Sequence, residues 1–369
     1  MSTPGNDPTG PAVLGGPTDL TELVRESLGD RGAEIAEQRV EPIGAPGSPS
    51  TGGLHRVSGV TTSGARWSFV AKSIRSLRHW PAIGSLPASF RSKMIAEFPW
   101  RADLDVYLKP FPLPDGLRLP RLHRVDDLGD DRLVMWLEDV REAPGPWDLG
   151  RYRSAAGLLG RLAAMNPVAR GARPQLSALR HFADGPVASV ILPQMRDPAT
   201  WDHPLVAPYV DAPLREDLLA LSERITWLLD AVDELPHTLA HGDACPQNLL
   251  VPALGPADFV AIDWSWPTPL PVGFDLGQLL VGLPYAGTGD PSELTAVHSA
   301  ILAAYTAELT VDPGQVRFGY VASLVLRNAW TALPLERLGE TPTPELHELF
   351  RARAPLARFV ADLGRAMFL

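Results

Sequence analysis

Lysine is almost missing from this sequence. Of its 33 basic residues only three are lysines, Lys72, Lys93 and Lys109. In a chain that otherwise uses arginine, a lysine marks a place where a compact point charge is needed. Cysteine is scarcer still. Cys245 is the only one, so no internal disulfide can form, and the composition suits a reducing, cytoplasmic setting. No apolar run approaches the ~20 residues that a membrane span needs. The opening stretch, "MSTPGNDPTGPAVLGG", lacks the basic and then apolar order of a secretory signal. Positive charge is also in short supply. A net charge of −10 at pH 7 argues against a general binder of nucleic acid or anionic membrane. There is no G-x-x-x-x-G-K-[ST] segment, which excludes a P-loop nucleotide site.

What is present is an ordinary globular composition, 45% apolar and 21% charged over 369 residues, enough for two lobes with their own cores. Residues 1–18 are rich in Pro, Gly, Thr and Asp and are expected to form a disordered tail. A helix is expected near 19–28. "QRVEPIG" (38–44), "GLHRVSGVT" (53–61) and "RWSFVAKSI" (66–74) read as an antiparallel meander. A helix follows in "EFPWRADLDVYLKPF", with Pro99 placed in its first turn. "RLVMWLEDV" (132–140) is a further strand. The lobe boundary falls near Leu137, giving a first lobe over 19–137 and a second over 138–369. Apolar residues at steps of three and four then predict helices over 148–165, 213–232, 292–309, 315–333 and 343–366. "NLLV" and "FVAID" form a hairpin between the second and third of these. The expected fold class is α+β, a small antiparallel β lobe followed by a larger, mostly helical one.

The chemistry concentrates in "LAHGDACPQNLLV", residues 239–251. Asp243 and Asn248 stand five apart on a loop that Pro246 keeps from being a regular helix. Asn248 opens the first hairpin strand and Asp263 closes the second, so the hairpin returns Asp263 to the neighbourhood of Asn248. One amide and one carboxylate suit Mg²⁺, which takes few protein ligands and leaves room for water and phosphate. Asp243, just upstream, can orient an attacking hydroxyl and accept its proton. His241 and Cys245 look more conspicuous. A zinc site needs three or four ligands, and no other histidine stands in ligand spacing. A catalytic thiolate needs a base and an oxyanion hole, which a histidine four residues away on an irregular loop does not supply.

The order H-G-D-x-x-x-x-N, then "IDW" (262–264) and "GFDLGQLL" (273–280), resembles the aminoglycoside phosphotransferase and choline kinase families, which share the protein-kinase-like fold. Glycine stands where protein kinases carry the arginine of H-R-D. The Gly273-to-Asp275 segment is one residue shorter than the family's pattern. The resemblance implies ATP as cofactor, with GTP still open, together with Mg²⁺ bound by Asn248 and Asp263, and Asp243 as the catalytic residue. It implies His241 as scaffold and Asp275 as a brace for the loop. It also accounts for Lys72, an ammonium inside the apolar strand "WSFVAKSI" that would be costly to bury alone. The family points such a lysine at the nucleotide phosphates and steadies it with a helix carboxylate. Asp103 is the favoured partner and Glu97 the rival. "MWLEDV", with Trp136 and Glu138, marks where such folds meet the adenine edge through backbone groups. "GAPGSPSTGG" (44–53) lacks strict G-x-G-x-x-G spacing and reads equally as a phosphate loop or a surface loop.

The implied function is transfer of the γ-phosphate to a hydroxyl of a small molecule, such as an aminoglycoside, an amino sugar or another hydroxylated metabolite. Neither a nucleic-acid nor a membrane partner is expected. A non-catalytic pseudokinase is the alternative from another class. A protein kinase fits less well, because no A-P-E follows Asp263 and "WSWPTPLPVGFDLG" leaves no room for a long activation loop. Asp290, Glu336 and Glu340 are acids that an amine-bearing acceptor would meet.

Overall fold

A computed structural model describes residues 19–44, 48–85, 88–169, 178–264 and 269–369. The expected tail over 1–18 and positions 45–47 of the glycine-rich stretch lie outside the described residues. The chain divides into two compact units, Met1–Pro110 with Leu119–Arg141, and Phe111–Arg118 with Glu142–Leu369.

In the first unit, α1 (Thr21–Leu28) stops at Gly29, whose left-handed backbone turns its N–H back onto the carbonyls of Arg25 and Glu26. Strands β1 (Ile35–Pro42), β2 (Thr51–Thr61) and β3 (Arg66–Arg75) form the antiparallel meander. Two helices follow, α2 (Ala88–Glu97) and α3 (Ala102–Leu108). The helix read with Pro99 in its first turn begins at Ala102 instead, and α2, not expected from the sequence, precedes it. A proline lacks the N–H that would carry the ladder through, and the chain restarts when the Ala102 N–H donates to the Pro99 carbonyl. The chain then leaves this unit for β4 (Leu117–Arg118) and returns as β5 (Leu122–Asp127) and β6 (Arg132–Glu138). The five-stranded order is β1-β2-β3-β6-β5, antiparallel throughout.

Alternation along β3 decides what each face of this sheet carries. Trp67, Phe69 and Ala71 face a core shared with Leu20, Leu23 and Val24 at α1 and with Val134 and Trp136 of β6. Val70 and Ile74 face the other side, where Leu104 of α3 packs with Met135. Lys72 falls on that second face, the one that α3 covers.

The expected first lobe included 111–118. The structure moves this stretch to the second unit, because β4 pairs in parallel with β10 (Phe259–Ala261) and Phe111 packs edge-on against Trp264. The second unit is mostly helical. Asp148 caps α4 (Leu149–Met165) by accepting from the Arg151 N–H at 2.9 Å. After the two-residue strand β7 (Pro167–Val168) come α5 (Ala178–Phe182), a wide helical turn over Ala183–Ile191, α6 (Leu192–Arg196) and α7 (Pro198–Trp201). The helix expected over 213–232 is two, α8 (Ala212–Ser222) and α9 (Ile225–Asp233). The Ser222 hydroxyl donates back to the Leu219 carbonyl at 2.7 Å, one of the side-chain bonds that compete with a helix ladder.

Strand β8 (His237–Leu239) leads into the 239–251 loop, and β9 (Leu249–Leu250) pairs antiparallel with β10. Strand β11 (Pro269–Pro271) returns alongside β8. The remaining helices are α10 (Phe274–Tyr285), α11 (Leu294–Thr306), α12 (Pro313–Leu324), which widens over Val325–Ala329, and α13 (Pro344–Phe368). The chain is therefore α+β, with an antiparallel sheet in one unit and helices dominating the other.

Gly273 caps α10 with φ +88°, and a Cβ there would stand 2.6 Å from the Val316 carbonyl oxygen and 2.9 Å from the Tyr320 nitrogen of α12. Only glycine meets both conditions at no cost. Gly273→Ala is expected to lower the unfolding free energy by at least about 2 kcal/mol, from left-handed strain and the clash together. Denaturant titration of the two proteins checks this.

Candidate active site

The loop after β8 is held from beneath by one buried side chain. Asp275, in the first turn of α10 and 3% exposed, accepts the His241 N–H at Oδ2 (2.9 Å) and the Gly242 N–H at Oδ1 (2.8 Å). Burial pushes its carboxyl above the ordinary range, while His241 and these two amides act in the opposite direction. His241 is fully buried, its ring 4.5 Å from that of Trp264. Burial pushes its pKa down, so the neutral ring can accept at Nδ1, and the Asp243 N–H donates there at 3.2 Å. The loop is thus braced through main chain, with Asp275 taking two amides and the imidazole a third.

The Asp243 side chain emerges from this frame with both carboxylate oxygens engaged. Asn248 Nδ2 donates to Oδ2 at 3.0 Å and to the Asp243 carbonyl at 2.9 Å. Arg327 Nη2 donates to Oδ1 at 2.9 Å, while its Nη1 donates to the Gly242 carbonyl at 2.6 Å. Burial raises the Asp243 carboxyl above its usual range. Arg327 pulls it back and the nearby Asp263 adds to the rise. Since the amide nitrogen of Asn248 points at Asp243, its Oδ1 is left as the acceptor end. The Ile262 N–H donates to the Asn248 carbonyl at 2.9 Å, which ties the start of the hairpin to its end. Asp263 follows directly, in the left-handed region at φ +62°, a conformation that Asp tolerates better than most residues.

The donor set suits Mg²⁺: one amide oxygen and one carboxylate, with a second carboxylate nearby. Among the described residues no group of three or more His, Cys, Asp or Glu stands together as a metal cage. Cys245 is half-buried. Burial first, and the Asp243 charge second, push its thiol up to about 12, so no thiolate is at hand near neutral pH.

In the first unit Lys72 Nζ lies 2.6 Å from Asp103 Oδ2, the two side chains 10% and 19% exposed. Asp103 sits in the first turn of α3, on the sheet face that Lys72 shares. The rival Glu97 closes α2 instead of opening a helix, and lies 4.0 Å from Lys93. Trp136 serves the core with its side chain. It is 0% exposed within the core, and its Nε1 donates to Asp126 at 2.8 Å. Its strand is paired on both sides, with β3 and with β5. Glu138 ends β6 and accepts the Arg121 N–H at 3.0 Å. Two of the acids considered for an amine are used locally. Asp290 caps a turn by accepting from the Ser292 N–H, and Glu340 pairs with Arg337 at 2.6 Å.

Arg327 escaped the reading of the sequence. The signal that could have found it is the one applied to Lys72: a single charge within the apolar run "VASLVLRNAW" requires a partner.

Residues 148–317 match the model of the phosphotransferase enzyme family, and the loop, hairpin and Asp275 segment all lie within that span. No curated protein sequence matches the chain. The structure of an aminoglycoside phosphotransferase from Alicyclobacillus acidocaldarius is similar, with a TM-score of 0.50 and 16% identity over 90% of this chain and 92% of that one. An aminoglycoside phosphotransferase of Streptomyces rimosus, solved with ADP and streptomycin, shares 16% identity over 84% and 99% of the two chains, with a TM-score of 0.40. A putative fructosamine-3-kinase of Thermobifida fusca shares 18% over 92% and 99%, with a TM-score of 0.40. The chain has the two-lobed, protein-kinase-like fold, and its segment 148–317 is similar to that family's model. That segment supports a phosphotransferase of the kinase class. Among the described residues no helix is long and apolar enough to cross a membrane.

Cys245 offers a direct check on the loop's electrostatics. Iodoacetamide at pH 8 is expected to label it slowly in the folded protein and rapidly once the chain is unfolded in urea. Mass spectrometry of the peptide reads both rates, and rapid labelling of the folded protein would contradict the raised thiol pKa.

Proposed function

We propose that this chain is an ATP-dependent phosphotransferase that moves the γ-phosphate onto a hydroxyl of a small molecule. The observation that carries the reading is the arrangement around Asp243. Its carboxylate is held by Asn248 in the same loop, and the β9–β10 hairpin returns Asp263 beside Asn248 through the Ile262–Asn248 bond.

In this reading Asp243 orients the acceptor hydroxyl and receives its proton as the bond to phosphorus forms. The raised carboxyl suits that role, because a base gains driving force for taking up a proton as its pKa rises. Asn248, through Oδ1, and Asp263 would hold Mg²⁺. When bound, the ion neutralises phosphate charge and aligns the phosphoryl group. Lys72 would contact the nucleotide phosphates as a point charge, and the Asp103 carboxylate steadies its ammonium. Asp is shorter than the Glu usual at this place, yet the 2.6 Å contact is already made. Most of the rate gain would come from positioning and charge neutralisation.

The acceptor class follows from what the loop lacks. Between Asp263 and α10 the chain has only ten residues, 264–273, too few for an activation loop that docks a protein substrate. A small hydroxylated molecule is favoured, with aminoglycosides, amino sugars and other metabolites as the candidates to screen.

Asp243→Asn is expected to lower Mg²⁺-dependent ADP release by at least about 10²-fold, the low end for loss of a general base. Affinity for a fluorescent ATP analogue should stay near that of the wild type. Undiminished turnover in this variant would overturn the assignment, and so would wild-type protein that binds the analogue but never turns it over.

A further inference from the structure

Arg327 is built into the fold with more care than a surface arginine. It lies in the wide turn Val325–Ala329, where the helix begun by α12 loosens its repeat. Such turns are uncommon and cluster at functional sites, because they redirect a side chain that regular spacing would aim elsewhere. Its neighbours are anchored: Leu326 is fully buried, and buried Asn328 accepts from Gln278 of α10 at 3.3 Å. The Arg327 carbonyl accepts from the Thr331 hydroxyl at 3.1 Å. The guanidinium carbon lies 5.7 Å from the centre of the Phe274 ring, and Phe274 directly precedes the brace Asp275. The segment that carries the guanidinium is thus anchored on both sides before the side chain reaches the loop.

What it does there is specific to its forked shape. One arm takes the Gly242 carbonyl and the other takes Asp243 Oδ1. A rigid fork bridging a backbone oxygen and the side chain of the next residue ties the carboxylate to the main chain that carries it. Asn248 holds the opposite oxygen, Oδ2. A donor on each oxygen stops rotation about the bond to the carboxylate carbon. An ionised carboxylate has about four lone-pair sites, and those not used by Arg327 and Asn248 then point in fixed directions.

We propose that Arg327 is a positioning residue for phosphoryl transfer, fixing the plane of the Asp243 carboxylate so that an unused lone pair faces the acceptor hydroxyl. This rests on the role proposed above for Asp243. In this role Arg327 acts through that residue, by its bonds to the Gly242 carbonyl and Asp243 Oδ1. Lysine cannot replace it, because a single ammonium carries the charge without spanning the carbonyl and the carboxylate in one plane.

The test compares wild type, Arg327→Gln and Arg327→Lys by Mg²⁺-dependent ADP release with water as the acceptor. Thermal unfolding and a crystal structure of each variant complete it. In Arg327→Gln, kcat is expected to fall about 10²-fold, as for a catalytic group misplaced by about 1 Å, with the KM for ATP nearly unchanged. Arg327→Lys should recover only part of that loss, and in both crystals the Asp243 carboxylate should have turned from its wild-type plane. Wild-type kcat in either variant, or an unmoved carboxylate in the crystals, would overturn the proposal. Should Arg327→Gln fail to fold, Arg327→Lys decides by the same two readings. The crystal comparison reads whether Arg327 holds the carboxylate independently of turnover, so it separates this proposal from the phosphotransferase reading.

Discussion

One buried carboxylate accepting two consecutive backbone amides is the constraint on which the rest of the site depends. Asp275 stands among apolar neighbours at the start of α10, where an ionised group without partners would not be tolerated. The His241 and Gly242 amides meet both of its oxygens. Among the described residues neither amide has another acceptor, so each would cost about 1–3 kcal/mol if orphaned. The loop and the helix are therefore mutually required. Gly273 makes the junction possible by admitting the backbones of α12 at close range, and its N–H donates to the Tyr305 hydroxyl at 3.2 Å.

On that base the loop carries an electrostatic arrangement that opposes itself. Asp243, Asp263 and Asp275 are three carboxylates close enough to influence a common set of neighbours, and burial already disfavours charge on Asp243 and Asp275. Arg327 relieves part of this at Asp243, with the Asn248 amide on the other side. A cation seated at Asn248 and Asp263 would relieve more. Repulsion stored among carboxylates is a reason for such a site to favour a divalent ion. The first unit repeats the principle with one pair, Lys72 and Asp103, whose ammonium is nearly out of solvent and cannot stand alone.

Much of this was legible in the sequence because it follows from local rules. The meander of β1 to β3, the helix over 149–165 and the β9–β10 hairpin come from alternation, helical spacing and turn composition. The loop residues stood out because their chemical types fall at spacings that suit one reaction. What escaped depended on partners distant in sequence. Strand β5 has no buried face of its own to alternate, so "LHRVDD" gave no strand signal and only its pairing with β6 defines it. Segment 111–118 looked like part of the first lobe, since nothing local reveals a parallel pairing with residues near 259. The break after Ser222, where its hydroxyl donates to the Leu219 carbonyl, leaves no mark in the apolar spacing that runs through it. The partner of the Trp136 indole, Asp126, could not be read from the sequence, because the two meet only once β5 and β6 pair. Arg327 was hidden because its partner lies 84 positions away, and only the cost of burying its charge pointed to it.

The central claim is that the loop around Asp243 transfers phosphate to a small hydroxylated molecule. The most direct measurement is ³¹P NMR of the wild-type protein with ATP and Mg²⁺ against pooled aminoglycosides, amino sugars and simple sugar alcohols. A new phosphomonoester resonance that needs both Mg²⁺ and one pool, growing as the γ-phosphate signal declines, is the predicted result. Loss of the γ-phosphate to inorganic phosphate alone across every pool, or no loss at all, would contradict it.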